Sequence, residues 1–112
     1  MAGTLKRTFG PLALVAGAYT TTVYNQSSAL IYDIIRHIHV TNKLAADTFR
    51  LYLGLTGANT AGTELFFDYP VAAKQSYDYY CMLKMTSTEF LVGGAATTLT
   101  LVIEAEGEQY VV

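Results

Sequence analysis

Hydrophobic and polar residues alternate along most of this chain, and nowhere do they settle into a helical period. In "TFRLYLGL" (residues 48–55), Phe49, Leu51, Leu53 and Leu55 point one way, and Thr48, Arg50, Tyr52 and Gly54 the other. "TTLTLVIEAE" (residues 97–106) repeats the pattern, with Leu99, Leu101, Ile103 and Ala105 inward and Thr98, Thr100, Val102, Glu104 and Glu106 outward. A period of two is the signature of a strand with one buried face. Less regular strands are predicted at Tyr19–Tyr24, Leu30–Thr41, Glu64–Tyr69, Ser76–Leu83 and Phe90–Gly93. Between them lie "NQSS", "TNKLAAD", "TGANTAG", "YPVAAK", "MTST" and "GGAA", loops whose Gly, Asn, Ser and Thr take turn conformations cheaply. "NKLAAD" has room for a single helical turn at most. Seven to eight short strands at this spacing predict an all-β fold, an antiparallel β-sandwich or jelly roll. The stretch "LIYDIIRHIHVTN" (residues 30–42) is longer than most strands, so a β-bulge is expected near Ile34 and Ile35.

Composition adds a hint about surroundings. The 112 residues make one domain, with only 14% charged side chains against roughly a quarter in typical soluble domains. A small domain leaves much of its area in water, so scarce charge suggests that part of the surface meets protein, in an oligomer or larger assembly. The seven basic residues, Lys6, Arg7, Arg36, Lys43, Arg50, Lys74 and Lys84, are dispersed, and the net charge is −2. Nucleic acid is therefore not expected as a partner, because phosphate tracking needs clustered Lys and Arg. No apolar run approaches the length of a transmembrane helix, so no membrane partner is expected. Near the N-terminus, Lys6 and Arg7 precede "FGPLALVAGA", whose end imitates a signal-peptidase site, but Gly10-Pro11 interrupts the apolar run. Residues 1–18 are read instead as an arm or edge strand docked on a surface, and residues 19–112 as the sandwich domain.

The densest chemistry lies in the long strand. His37 and His39 share one face, with Cα atoms about 6.6 Å apart. Such a pair can share a zinc ion, which needs at least a third protein ligand. Asp33, taken to lie on the same face, is about 13 Å away along the strand, too far to serve. A carboxylate on a neighbouring strand could complete the set, but nothing in the sequence marks one. With Ile34, Ile38 and Val40 as the inward row, both histidines are read as the outer face of a strand, solvated or covered by a partner. No metal ligand set, cofactor or catalytic residue is assigned. Glu104, Glu106 and Glu108 read as the wet face of the last strand, and a pairing of Asp68 or Asp78 with Glu64 or Glu89 cannot be placed. Cys81, the single cysteine, sits among large apolar residues as a buried small hydrophobe. The chain has no G-x-S-x-G, P-loop or dinucleotide fingerprint.

Aromatic residues say more. Nine tyrosines and five phenylalanines include the clusters "ELFFDYP" and "SYDYYCML". In the second, Tyr77, Tyr79 and Cys81 share one face, and Asp78, Tyr80 and Met82 the other, so both sides are expected to be covered. Tyrosine suits interfaces, combining broad apolar area with a hydroxyl. It equally suits a sugar-stacking platform.

Three segments in order, "TTTVYNQSSALIYDIIRHIHVTN", "DTFRLYLGLTG" and "ELFFDYPVAAKQSYDYY", resemble small β-sandwich proteins encoded among the structural genes of tailed bacteriophages. The resemblance spans residues 20–105 and departs from the family at "KMTSTEF", where a Gly-Asp turn is frequent. It implies a non-enzymatic virion protein. First among the roles is a capsid decoration or cement protein on the shell exterior, a homo-oligomer with trimers favoured, whose partner is the major capsid protein. Lys6, Arg7, Phe9, Leu12, Tyr77, Tyr79 and Tyr80 would form its assembly interface. A tail, neck or fibre-attachment module is the alternative. A carbohydrate-binding surface module, stacking sugars on Tyr77, Tyr79 or Tyr80, is the third.

Overall fold

In the computed structural model, which describes residues 3–112, alternation becomes eight strands and no helix. They are β1 (Thr4–Ala13), β2 (Thr21–Asn25), β3 (Ile31–Asn42), β4 (Asp47–Gly54), β5 (Glu64–Val71), β6 (Ser76–Met85), β7 (Phe90–Ala95) and β8 (Leu101–Val111). One antiparallel sheet has the order β1-β8-β3-β6 and the other β2-β7-β4-β5. First pairs with last, second with seventh, third with sixth and fourth with fifth, as in a long antiparallel ribbon rolled into two sheets. That order is the jelly roll.

The inner faces meet in one core built around Ile35, Ile38, Val40, Phe49, Leu51, Leu91, Leu101 and Ile103, all essentially without solvent contact. Alternation places most of these side chains. It fails at strand ends. Leu55 lies beyond the end of β4 and is exposed. Leu99 is exposed in the loop before β8, at a positive φ of 66°. Tyr52, expected outward, is buried beside Arg50.

Residues 4–13 are not detached from the sandwich. β1 hydrogen-bonds to β8 as an edge strand, from Thr4 opposite Gln109 to Ala13 opposite Val102. Met1 and Ala2, part of the expected arm, lie outside the described residues. Two of the expected interface residues belong to the interior. Phe9 is buried and stacks on Tyr24 with ring centroids 5.7 Å apart, and Leu12 packs against the core. The reason is register: two irregularities in the β1–β8 ladder turn this half of the strand inward.

The edge strands β5 and β6 close one side of the sandwich with aromatic rings. Tyr77 lies 4.3 Å from Tyr69, and Phe66 meets Tyr79 edge-on at 4.9 Å. Tyr77 is thus part of the closure rather than a free platform, and desolvation pushes its hydroxyl up to about 12. Tyr79 is the seam's outer member. Tyr80 alternates to the opposite face and is exposed.

Candidate functional site

β3 carries a bulge against β8 between Ile35 and His37, where it advances two residues while β8 advances one, and at the same place β6 carries an extra residue against β3. An extra residue in one strand shifts the phase of every side chain beyond it. Before the bulge, Asp33 and Ile35 face the core; after it, Ile38, Val40 and Asn42 do. The inward row therefore contains Ile35 rather than Ile34, and Asp33 is not on the histidine face at all. Gly107 of β8 makes room for the distortion. A Cβ there would sit 2.0 Å from the carbonyl oxygen of Ile34 and 3.0 Å from the amide nitrogen of Arg36.

Asp33, nearly inaccessible, is held by polar neighbours. Its Oδ2 accepts from the Tyr24 hydroxyl at 2.6 Å and the Gln26 amide at 3.1 Å, and its Oδ1 from Gln109 at 3.2 Å. This network ties β2, β3 and β8 together beneath the sheet. Burial first, then the bond to Asp33, raises the Tyr24 hydroxyl far above its ordinary pKa.

On the outer face the bulge sets His37 and His39 toward β6. Register places His39 opposite Asp78 and His37 opposite Tyr80. His37 Nε2 lies 2.7 Å and His39 Nδ1 2.5 Å from the same oxygen, Asp78 Oδ1. Each ring's other nitrogen has its own partner: His37 Nδ1 meets Glu106 Oε1 at 3.0 Å, and His39 Nε2 meets the Thr41 hydroxyl at 2.8 Å. Tyr80 stacks on His37 at 4.6 Å with the rings nearly parallel. The side chains of His37 and His39 are 20% and 28% exposed, and that of Asp78 is 39% exposed, so solvent reaches the cluster. The bond to Glu106, with smaller contributions from Asp78, holds His37 above its ordinary pKa. His39 and then His37 hold the Asp78 carboxyl below the usual carboxylate range. Sequence reasoning paired the histidines but missed Asp78, whose approach depends on pairing across 39 residues.

The same face forms a groove of about 800 Å³ between the sheet's two edges. Leu5, Lys6 and Arg7 line it from β1, Tyr80, Cys81 and Met82 from β6, with Arg36, His37 and the acids Glu106 and Glu108 between them. Arg36 reaches Glu108 at 3.3 Å, and Arg7 comes within 3.8 Å of Glu104. Lys6, Arg7 and Tyr80 are thus placed together on one surface; Phe9, Leu12 and Tyr77 are not. The Cys81 thiol contacts the Ile35 carbonyl at 3.4 Å, and burial raises its pKa, which makes it a poor nucleophile.

The remaining acids have local duties. Asp68 grips Arg50 with two bonds, 2.7 and 3.2 Å long, while the guanidinium lies over the rings of Phe67 and Tyr19. Glu64 accepts from the Gly62 amide, and Glu89 from Thr86, as turn braces.

The fold and site define an eight-stranded jelly roll with a His–His–Asp cluster beside an outer-face groove. Compared with known proteins, the chain matches no family model, no curated protein and no solved structure.

Proposed function

We propose that this protein is a non-enzymatic structural component of a tailed-bacteriophage virion. Within that class we assign it to capsid decoration: it binds the outer surface of the assembled shell and stabilises it. The observation that carries the reading is the groove on the β1-β8-β3-β6 sheet. Among the described residues, three of the four most exposed large hydrophobic side chains border it: Leu5 at 80%, Met82 at 76% and Tyr80 at 74%. Exposed apolar groups collected on one face, with charged side chains between them, suit a protein partner.

The sequence resemblance supplies the kind of partner, a major capsid protein or a neighbouring virion subunit, and the jelly roll suits that role without assigning it. Trimerisation remains the favoured assembly. Because β1 is an edge strand of the sandwich, contact with the shell is through the face it helps to build. Binding to the assembled shell, and not to free subunits, stabilises the shell by mass action.

Copy number tests the proposal. Particles assembled from the genome that encodes this chain should carry it in large, symmetry-set numbers on heads with or without tails. A few copies confined to tailed particles would favour the tail or neck module instead. Absence from purified particles would overturn the virion reading. For the carbohydrate module, Tyr80 is the most exposed ring of the three proposed, and one of its faces is given to His37.

A further inference from the structure

We infer that His37, His39 and Asp78 form a binding site for a divalent transition-metal ion of the zinc type. Their donor atoms, one from each residue, lie within 4.8 Å of one another. Ligands about 2.1 Å from a tetrahedral ion stand about 3.4 Å apart. His37 Nε2 and His39 Nδ1 lie 2.7 and 2.5 Å from Asp78 Oδ1, inside that spacing, and the whole donor set spans no more than 4.8 Å, so an ion is accommodated by withdrawal of the carboxylate with a small adjustment of the two rings. Asp78 sits on an edge strand and turns toward solvent, which leaves it free to make that adjustment.

The outer hydrogen bonds match what bound imidazole requires. A neutral histidine that gives one nitrogen's lone pair to a metal carries its proton on the other, and an acceptor there fixes tautomer and ring orientation. Here His37 Nδ1–H would donate to Glu106, and His39 Nε2–H to the Thr41 hydroxyl oxygen. Glu106 and Thr41 are therefore positioning residues, and the Tyr80 stack restrains the His37 ring further. Two imidazole nitrogens and one carboxylate oxygen select zinc, cobalt or copper over calcium and magnesium, which prefer oxygen donors. The open side of the cluster leaves a fourth position for water. Bound metal would fasten edge strand β6 to β3 along the wall of the groove. The site stands independently of the virion proposal, and failure of either leaves the other intact.

The test uses the full chain without a histidine tag, stripped by chelator and dialysed, then titrated with zinc chloride and, separately, cobalt(II) chloride. One equivalent of zinc should bind with micromolar or tighter affinity and raise Tm. Cobalt should give the visible absorption of a four-coordinate ion with nitrogen ligands, and magnesium should not compete. Asp78→Asn, nearly isosteric, should weaken zinc binding at least tenfold, as should His37→Ala and His39→Ala. Glu106→Gln should weaken it about tenfold while leaving stoichiometry at one. Absence of saturable zinc binding below millimolar concentration in the folded wild-type chain would overturn the inference. So would unchanged zinc affinity in Asp78→Asn together with a folded His37→Ala/His39→Ala variant.

Discussion

Gly107 and Asp33 together decide which side chains of the long strand face the core and which face outward. Gly107 has no side chain where β3 bulges, and a methyl group there would overlap the Ile34 carbonyl. Gly107→Ala should therefore cost about 2–3 kcal/mol, the upper range for forced overpacking. For a chain of this size, thermal unfolding should show a fall in Tm of roughly 10 °C or more. Asp33 satisfies a tyrosine hydroxyl and two amides in the interior. Asp33→Ala leaves those donors without their acceptor and should cost about 1–3 kcal/mol, measurable by urea unfolding. Neither role was visible in the sequence. Asp33 and His37 are an even number of residues apart and read as neighbours on one face, and only the inserted residue at the bulge separates them.

At the scale of elements, β3 and β6 are joined outside the core by His37, His39 and Asp78. In the metal-free chain the contacts of this cluster depend on pH, those of His37 through Glu106 of β8 first and Asp78 of β6 second. His37 titrates above its ordinary 6.5 when folded, so its stabilisation is complete below that value and is lost as pH rises through the folded pKa. Asp78 titrates below its ordinary 3.8, so its share is present above that value and is lost as pH falls through the lower, folded one. The Tm difference between the wild type and His37→Gln, both metal-free, should be widest between pH 3.8 and 6.5 and narrow on either side. The elements themselves were largely legible, because alternation marks a half-buried strand wherever it is regular. "TFRLYLGL" shows both the strength and the limit of that signal: Phe49 and Leu51 are buried as expected, yet Leu55 falls past the strand's end. The length of β3 predicts a bulge near Ile34 and Ile35, and the bulge against β8 lies within two residues of that place. The partner of the His-x-His pair was not legible, because local pattern carries no record of which residue on β6 lies opposite His39.

For the whole molecule, the sandwich measures 43 × 26 × 19 Å, and its β1-β8-β3-β6 sheet offers one broad outer face. Phe9 and Leu12 show why composition alone could not map that surface. Both read as candidate contacts near a chain end, and both are consumed by the chain's own core. The exposed groups on the groove's rims remain. Leu5→Glu combined with Met82→Glu changes side chains that are at least three-quarters exposed, so Tm should move little. Particle binding should fall at least tenfold in a co-sedimentation assay.

Hydroxyl-radical footprinting, read at Leu5, Tyr80 and Met82, compares the purified chain with the chain in particles from its own genome. If the groove is where this protein meets the virion, all three residues oxidise readily in the free chain and are protected several-fold in the particle, while exposed Leu55, just past the end of β4 in the other sheet, keeps its labelling. Equal oxidation of the three in both states would contradict a covered groove.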